Sequence, residues 1–94
     1  MIVFKGPLAF EWDAGNKDKN WRKHRVTNEE CEEVFFDPHK RLLKAVLHAG
    51  NEPRHVLIGQ TKHKRLLFVV FTMRQSRIRV ISARDLSRRE RRLL

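Results

Sequence analysis

The residues in this chain best suited to chemistry are arginines set beside strands that read as core. Arg65-Leu-Leu-Phe-Val-Val-Phe-Thr-Met-Arg74 and Ile78-Arg-Val-Ile-Ser-Ala-Arg84 are rich in β-branched and aromatic residues, with arginines at their ends and Arg79 inside. Strands this apolar bury both faces, whereas arginine is seldom buried without a partner. The two runs therefore call for an anion. A Glu or Asp from a neighbouring element can supply it, or a phosphate, whose oxygens the planar guanidinium grips two at a time. With a turn built on Gln75 and Ser76, Met73 faces Ile78, and strand parity sorts the polar residues. Thr72 and Arg79, with Arg74 close by, fall near the turn on one face. Arg65, Ser82 and Arg84 gather at the open end of the other.

Lys23-His24 is the second candidate. It ends a predicted basic helix, where the macrodipole favours the cationic imidazole by about 0.3–1 kcal/mol. That suits a proton-transfer or phosphate-binding group near neutral pH; the alternative is a solvated basic helix end. His39, His48, His55 and His63 lack the i, i+4 helical spacing, and with one cysteine they make no recognisable metal motif. The isolated glycines form no phosphate-cradling loop. Trp12 and Trp21 carry rings that can stack on bases, but in a core this small they read as packing. Glu11 reads as a surface ion pair, with orienting a basic residue or acting as a base as the alternatives.

The composition narrows the partner. Ninety-four residues carry 21 Lys and Arg against 11 Asp and Glu, a formal charge of +10, and the sequence pI is near 10.9. Such a charge draws in polyanions, either nucleic acid or an acidic protein that masks it. Length predicts one domain, 1–94, with 1–8 as an N-terminal extension. Cys31 alone cannot form an internal disulfide, which fits a reducing cytosol. The N-terminus lacks the basic start and long apolar run of a signal peptide, and no run is long enough to span a membrane. The expectation is a cytoplasmic protein with no membrane partner.

Several elements must position these residues. Leu8 to Trp12 reads as a short edge strand. Asp13 stands where an N-cap belongs, ahead of a polar helix over Ala14–His24 that has to dock through Trp21 and Ala14. Thr27-Asn-Glu-Glu30 is a capping box. It opens a helix whose Cys31, Val34 and Phe35 share one face, and Asp37-Pro38 ends it. Leu42–Leu47 and Arg54–Gly59 read as strands around a turn over 48–53, and Gln60–Lys64 turns into the arginine hairpin. Ser87-Arg-Arg-Glu90 is a second capping box opening a short helix. The order predicts an α+β fold, a small antiparallel sheet of about four strands packed with two to three helices.

Several short blocks then agree with a known family. Phe10-Glu-Trp-Asp13 with Lys17, Asn20 and Lys23-His24 resembles the opening signature of BrnT-type toxins of bacterial type II toxin–antitoxin systems. Glu33-Val-Phe-Phe-Asp-Pro38, Ile58-Gly59, both hairpin strands and Glu90-Arg-Arg92 continue the match in order, over about Phe10 to Arg92. The resemblance implies a RelE-like fold and a metal-independent endoribonuclease without a cofactor. It implies an RNA substrate and a cognate antitoxin of ribbon-helix-helix type, through which alone the complex reaches operator DNA. Carried over by position, Lys23, His24, Arg65, Thr72, Arg74, Arg79 and Arg84 lie in matching motifs, which by itself does not establish catalysis. The expected catalytic residues are His24, Arg65 and Arg84, and the expected substrate contacts Lys23, Thr72, Arg74, Arg79 and Ser82. Two departures stand out: Arg25 follows Lys23-His24 where the family commonly has glycine, and Lys62-His-Lys64 replaces a Gly- or Asp-containing turn. Two alternatives from other classes remain: a non-catalytic nucleic-acid-binding module, and a subunit whose basic face only docks an acidic antitoxin.

Overall fold

The computed structural model describes residues 4, 6–49 and 52–94, with the backbone alone for 44–49. Four strands, β1 (Arg41–Ala49), β2 (Glu52–Gln60), β3 (Leu66–Arg74) and β4 (Arg77–Asp85), form one antiparallel sheet in sequential order. Two short helices, α1 (Lys19–His24) and α2 (Asn28–Glu33), precede it. The fold is therefore α+β, as the element order predicts. Both β1 and β2 run further than expected. His48 and Ala49 extend β1, Glu52 and Pro53 extend β2, and the tip of that turn lies outside the described residues.

The core lies between the sheet and the helices. Cys31, Val34 and Phe35 pack with Val26, Leu57, Leu67, Val69, Phe71, Ile78, Val80 and Ala83, all buried. The Thr27–Glu30 capping box forms as expected and starts α2. A 3-10 turn, Val34–Phe36, continues it until Asp37 takes up extended backbone ahead of Pro38. Phe35 meets Phe71 edge-on at 5.1 Å between centroids, and Phe4 and Phe10 pack around the same ring. Leu8 also packs against this cluster, so part of the expected N-terminal extension touches the core.

Three expectations for the first quarter of the chain are overturned. Leu8–Trp12 is no strand; Phe10 makes a single parallel bridge to Ile78. Asp13 caps a turn through Gly15, not a helix, and α1 begins only at Lys19. Docking falls to neither Trp21 nor Ala14, which are exposed, but to two buried asparagines. Asn16 donates to the Val80 carbonyl, and Asn20 accepts from the Ala83 N–H at 2.9 Å. Together with the Ile78 contacts to Ala9 and Glu11, they occupy outward-facing backbone groups of β4, which would otherwise stay unpaired at the sheet edge.

The hairpin turn forms on Gln75 and Ser76, both left-handed (φ 51° and 67°), the geometry of a two-residue type I′ connection. Met73 faces Ile78 as expected, and the register holds back to Phe71–Val80. It then shifts by one, pairing Val70 with Ser82 and Phe68 with Arg84. A bulge at Ile81 absorbs the extra residue. Ser82 and Arg84 thereby move to the face of Thr72 and Arg79, away from the helices. The division into two arginine groups that assumed uniform parity is corrected accordingly, and Arg65 is left alone on the helix side.

Candidate active site

Arg65 sits where three elements meet. Its Nε and Nη2 donate to Asp85 at 2.6 and 3.0 Å, closing one two-point fork. Nη1 reaches Glu30 at 3.2 Å and the Arg25 carbonyl at 2.7 Å, and Nη2 also reaches the His24 carbonyl at 3.2 Å. A guanidinium thus satisfies carbonyls at the C-terminus of α1, where a cation is favoured. The same group draws the α2 capping glutamate and the end of β4 together. Hydrogen bonding to Arg65 is the main reason the Asp85 carboxyl is held below its ordinary range, and the charge of His24 adds to it. The structure therefore brings His24, Arg65 and Asp85 to one junction, with Lys23 exposed beside them.

Arg25 keeps the helix end in the shape glycine would give. It adopts the left-handed conformation (φ 55°, ψ 39°), and its N–H bonds back to Asn20 and Trp21. Left-handed backbone costs a non-glycine residue roughly 1–2 kcal/mol. The Arg25 guanidinium lies 5.2 Å from the centroid of the Trp21 ring, and its carbonyl takes the Arg65 bond, so both contacts accompany that conformation. Lys64 occupies a second left-handed position (φ 67°), in the basic turn before Arg65.

The remaining arginines do not join this junction. Arg84 crosses to the far face, stacks 4.2 Å over Phe68 and forms a two-point fork with Glu90, both bonds 2.7 Å. Arg84 is the chief cause of the low Glu90 pKa, about 2. Glu90 also closes the Ser87 capping box, so Arg84 fastens the C-terminal 3-10 helix (Arg89–Leu93) to the sheet. Near the hairpin turn Arg79 is shared by Glu11 and Asp13 at 2.8–3.0 Å, and Arg74 grips Glu52. Thr72 is 1% exposed and donates to the Pro53 carbonyl, so it holds β3 to β2. Ser82 is half-buried opposite Val70.

Every arginine of the hairpin except Arg77 at its tip thus has a carboxylate partner from within the chain. Arg65, Arg74, Arg79 and Arg84 between them pair with six carboxylates: Glu11, Asp13, Glu30, Glu52, Asp85 and Glu90. The Glu or Asp alternative raised by the arginine-edged strands is what these contacts show. The net charge of +10 is consequently carried elsewhere, on cations such as Arg22, Lys23, Lys62 and Arg91, which form no ion pair among the described residues. Glu30 and Asp85 are site residues that the sequence reading missed. A signal existed: Arg65 and Asp85 bear opposite charges at the open end of one hairpin, one just before β3 and the other closing β4.

These contacts define a small, strongly basic α+β domain whose two helix ends are clamped to one hairpin by a single arginine. The model of the BrnT family, ribonuclease toxins of type II toxin–antitoxin systems, matches residues 12–90, and the chain belongs to that family. No curated relative matches the chain. Membership makes it a ribonuclease toxin with an RNA target and an antitoxin partner. No helix among the described residues is long and apolar enough to cross a membrane.

Proposed function

We propose that this toxin is a metal-independent endoribonuclease, acting in the cytoplasm, whose reaction centre is the junction of the α1 C-terminus with Arg65. The observation that carries the reading is the family match across 12–90; the meeting of Arg65 with the α1 C-terminus supports the choice of location. In metal-free cleavage the 2′-oxygen loses its proton and attacks phosphorus. The bond to the 5′-oxygen breaks, and that oxygen takes up a proton. His24, exposed at the helix end, is the proton-transfer group, a role contributing typically about 10²–10⁴-fold. Arg65 is the preorganised cation for the charge developing on the phosphorane oxygens, held in place by Glu30 and Asp85. Lys23 binds a neighbouring phosphate. Arg74, Arg79, Ser82 and Arg84 provide a second, far-face track for the RNA, in which Arg84 serves the substrate once Glu90 yields. The hydroxyl of Thr72 supports that track by holding the strands. A cognate ribbon-helix-helix antitoxin neutralises the toxin, and operator DNA is reached only through their complex.

The test is cleavage of RNA by the purified chain in excess EDTA, with and without the antitoxin. Cleavage that persists in EDTA, fails in His24→Ala and is silenced by antitoxin is the expected result. Intact RNA under all conditions sinks the enzymatic reading. One observation favours a second reading: the four internally paired arginines suit a non-catalytic module that binds RNA or docks an antitoxin. That module would show salt-sensitive RNA binding with no loss of RNA length.

A further inference from the structure

Trp21 stands outside everything assigned so far. Its side chain lies on the solvent side of α1, 45% exposed, although an indole in a chain with so small a core ordinarily helps to build it. The neighbouring Asn20 takes the docking role, which leaves the ring free. Arg25, one turn later, backs the ring with its guanidinium at 5.2 Å. Arg25 forms no ion pair among the described residues, and Arg22 and Lys23, the next two residues of α1, add exposed positive charge to the same short helix. His24 lies one helical turn away (i+3), and Arg65 bonds the carbonyls of both His24 and Arg25. An exposed aromatic ring backed by an unneutralised guanidinium on a basic helix, one turn from the reaction centre, fits a nucleobase whose flanking phosphates meet positive charge.

The other exposed ring shows the contrast. Phe36, 63% exposed, packs near Phe10 and lies in a segment that holds Glu33 and Asp37 and has no cation between them. Leu93 and Leu94 lie near arginines but have no π-face. Among the described residues that are exposed, Trp21 joins a large ring to a cation free of an ion pair, whereas Arg84 over Phe68 is paired with Glu90.

We propose that Trp21, backed by Arg25, is a stacking site for an unpaired base of single-stranded RNA, placed so that the adjoining phosphate reaches the His24–Arg65 junction. The inference rests on the RNA-directed reading above and is tested separately from it. The probe is a short 2′-O-methyl oligoribonucleotide, which lacks the attacking hydroxyl, alongside the same oligomer made abasic. Binding to the wild-type chain should quench Trp21 emission. Trp21→Phe, which leaves Trp12 as the remaining indole, should lose the quench yet keep most of the affinity. Trp21→Ala should weaken binding of the normal oligomer by about tenfold to a hundredfold, with little change for the abasic one. Equal binding by wild type and Trp21→Ala overturns the stacking site, while cleavage of ordinary RNA by both would leave the ribonuclease reading standing. An indole that responds to the purified antitoxin but not to the oligomer also overturns it, assigning the ring to a protein interface.

Discussion

At the residue scale, His24 and Arg65 share a junction but not a burden. The His24 side chain is exposed and makes no hydrogen bond among the described residues, so His24→Ala should cut cleavage about 10²–10⁴-fold with stability unchanged within about 0.5 kcal/mol. Arg65 engages two helix ends and β4. Arg65→Ala should therefore lose activity and also about 1–3 kcal/mol of stability, measured as a shift in urea midpoint. If Arg65→Ala unfolds at the wild-type midpoint, the clamp described above is wrong. Paired arginines were one of two alternatives readable from residue types alone. Which acids pair with which arginines was not, because the acids come from positions up to 68 apart in the chain, as with Glu11 and Arg79.

At the element scale, the type I′ hairpin turn, the Thr27 capping box and the apolar face of α2 were all legible, since each depends on a local pattern. The bulge at Ile81 was not. It arises where the helix segment meets β4, and one extra residue reverses the facing of all that follows. For the same reason Trp21 misled and Asn20 hid: composition marks an indole as core, and only the bulge creates the N–H that Asn20 answers. Gly59 carries a sharper local requirement. A Cβ there would come within 2.9 Å of the Val34 carbonyl and 3.0 Å of its Cβ, and backbone on that side cannot swing away as a side-chain tip can. Gly59→Ala should push the 3-10 turn off β2 and cost about 1–3 kcal/mol, read by chemical denaturation. An unchanged midpoint would mean that the turn is free to move.

At the scale of the whole molecule, the ion pairs make the fold sensitive to acid. Asp13, Glu52, Asp85 and Glu90 are all held below their ordinary values, each chiefly by hydrogen bonding to an arginine. A carboxylate depressed on folding contributes stability above its unfolded pKa and loses that contribution as pH falls through its folded value. The chain should thus be at full stability above pH about 5 and weaken progressively from the ordinary carboxylate range toward pH about 2, the value held by Glu90. Thermal midpoints across that window check the sign. Midpoints that rise on acidification would show that these pairs do not supply the stability assigned to them.

The asparagines along β4 bear on a different property, the tendency of the chain to meet itself. A strand edge with open N–H and C=O groups is a template for another copy. Here the Asn16 and Asn20 amides stand in for the missing neighbour at Val80 and Ala83. Asn20→Leu would leave the Ala83 N–H unanswered beside an apolar surface. The expected outcome is an apparent mass in sedimentation that rises with concentration in the variant more steeply than in wild type. Identical curves would mean that the bridge at Phe10 closes the edge unaided. A mass that does rise in the variant would make two amide groups what keeps this toxin, which must stay available to its antitoxin, from its own kind.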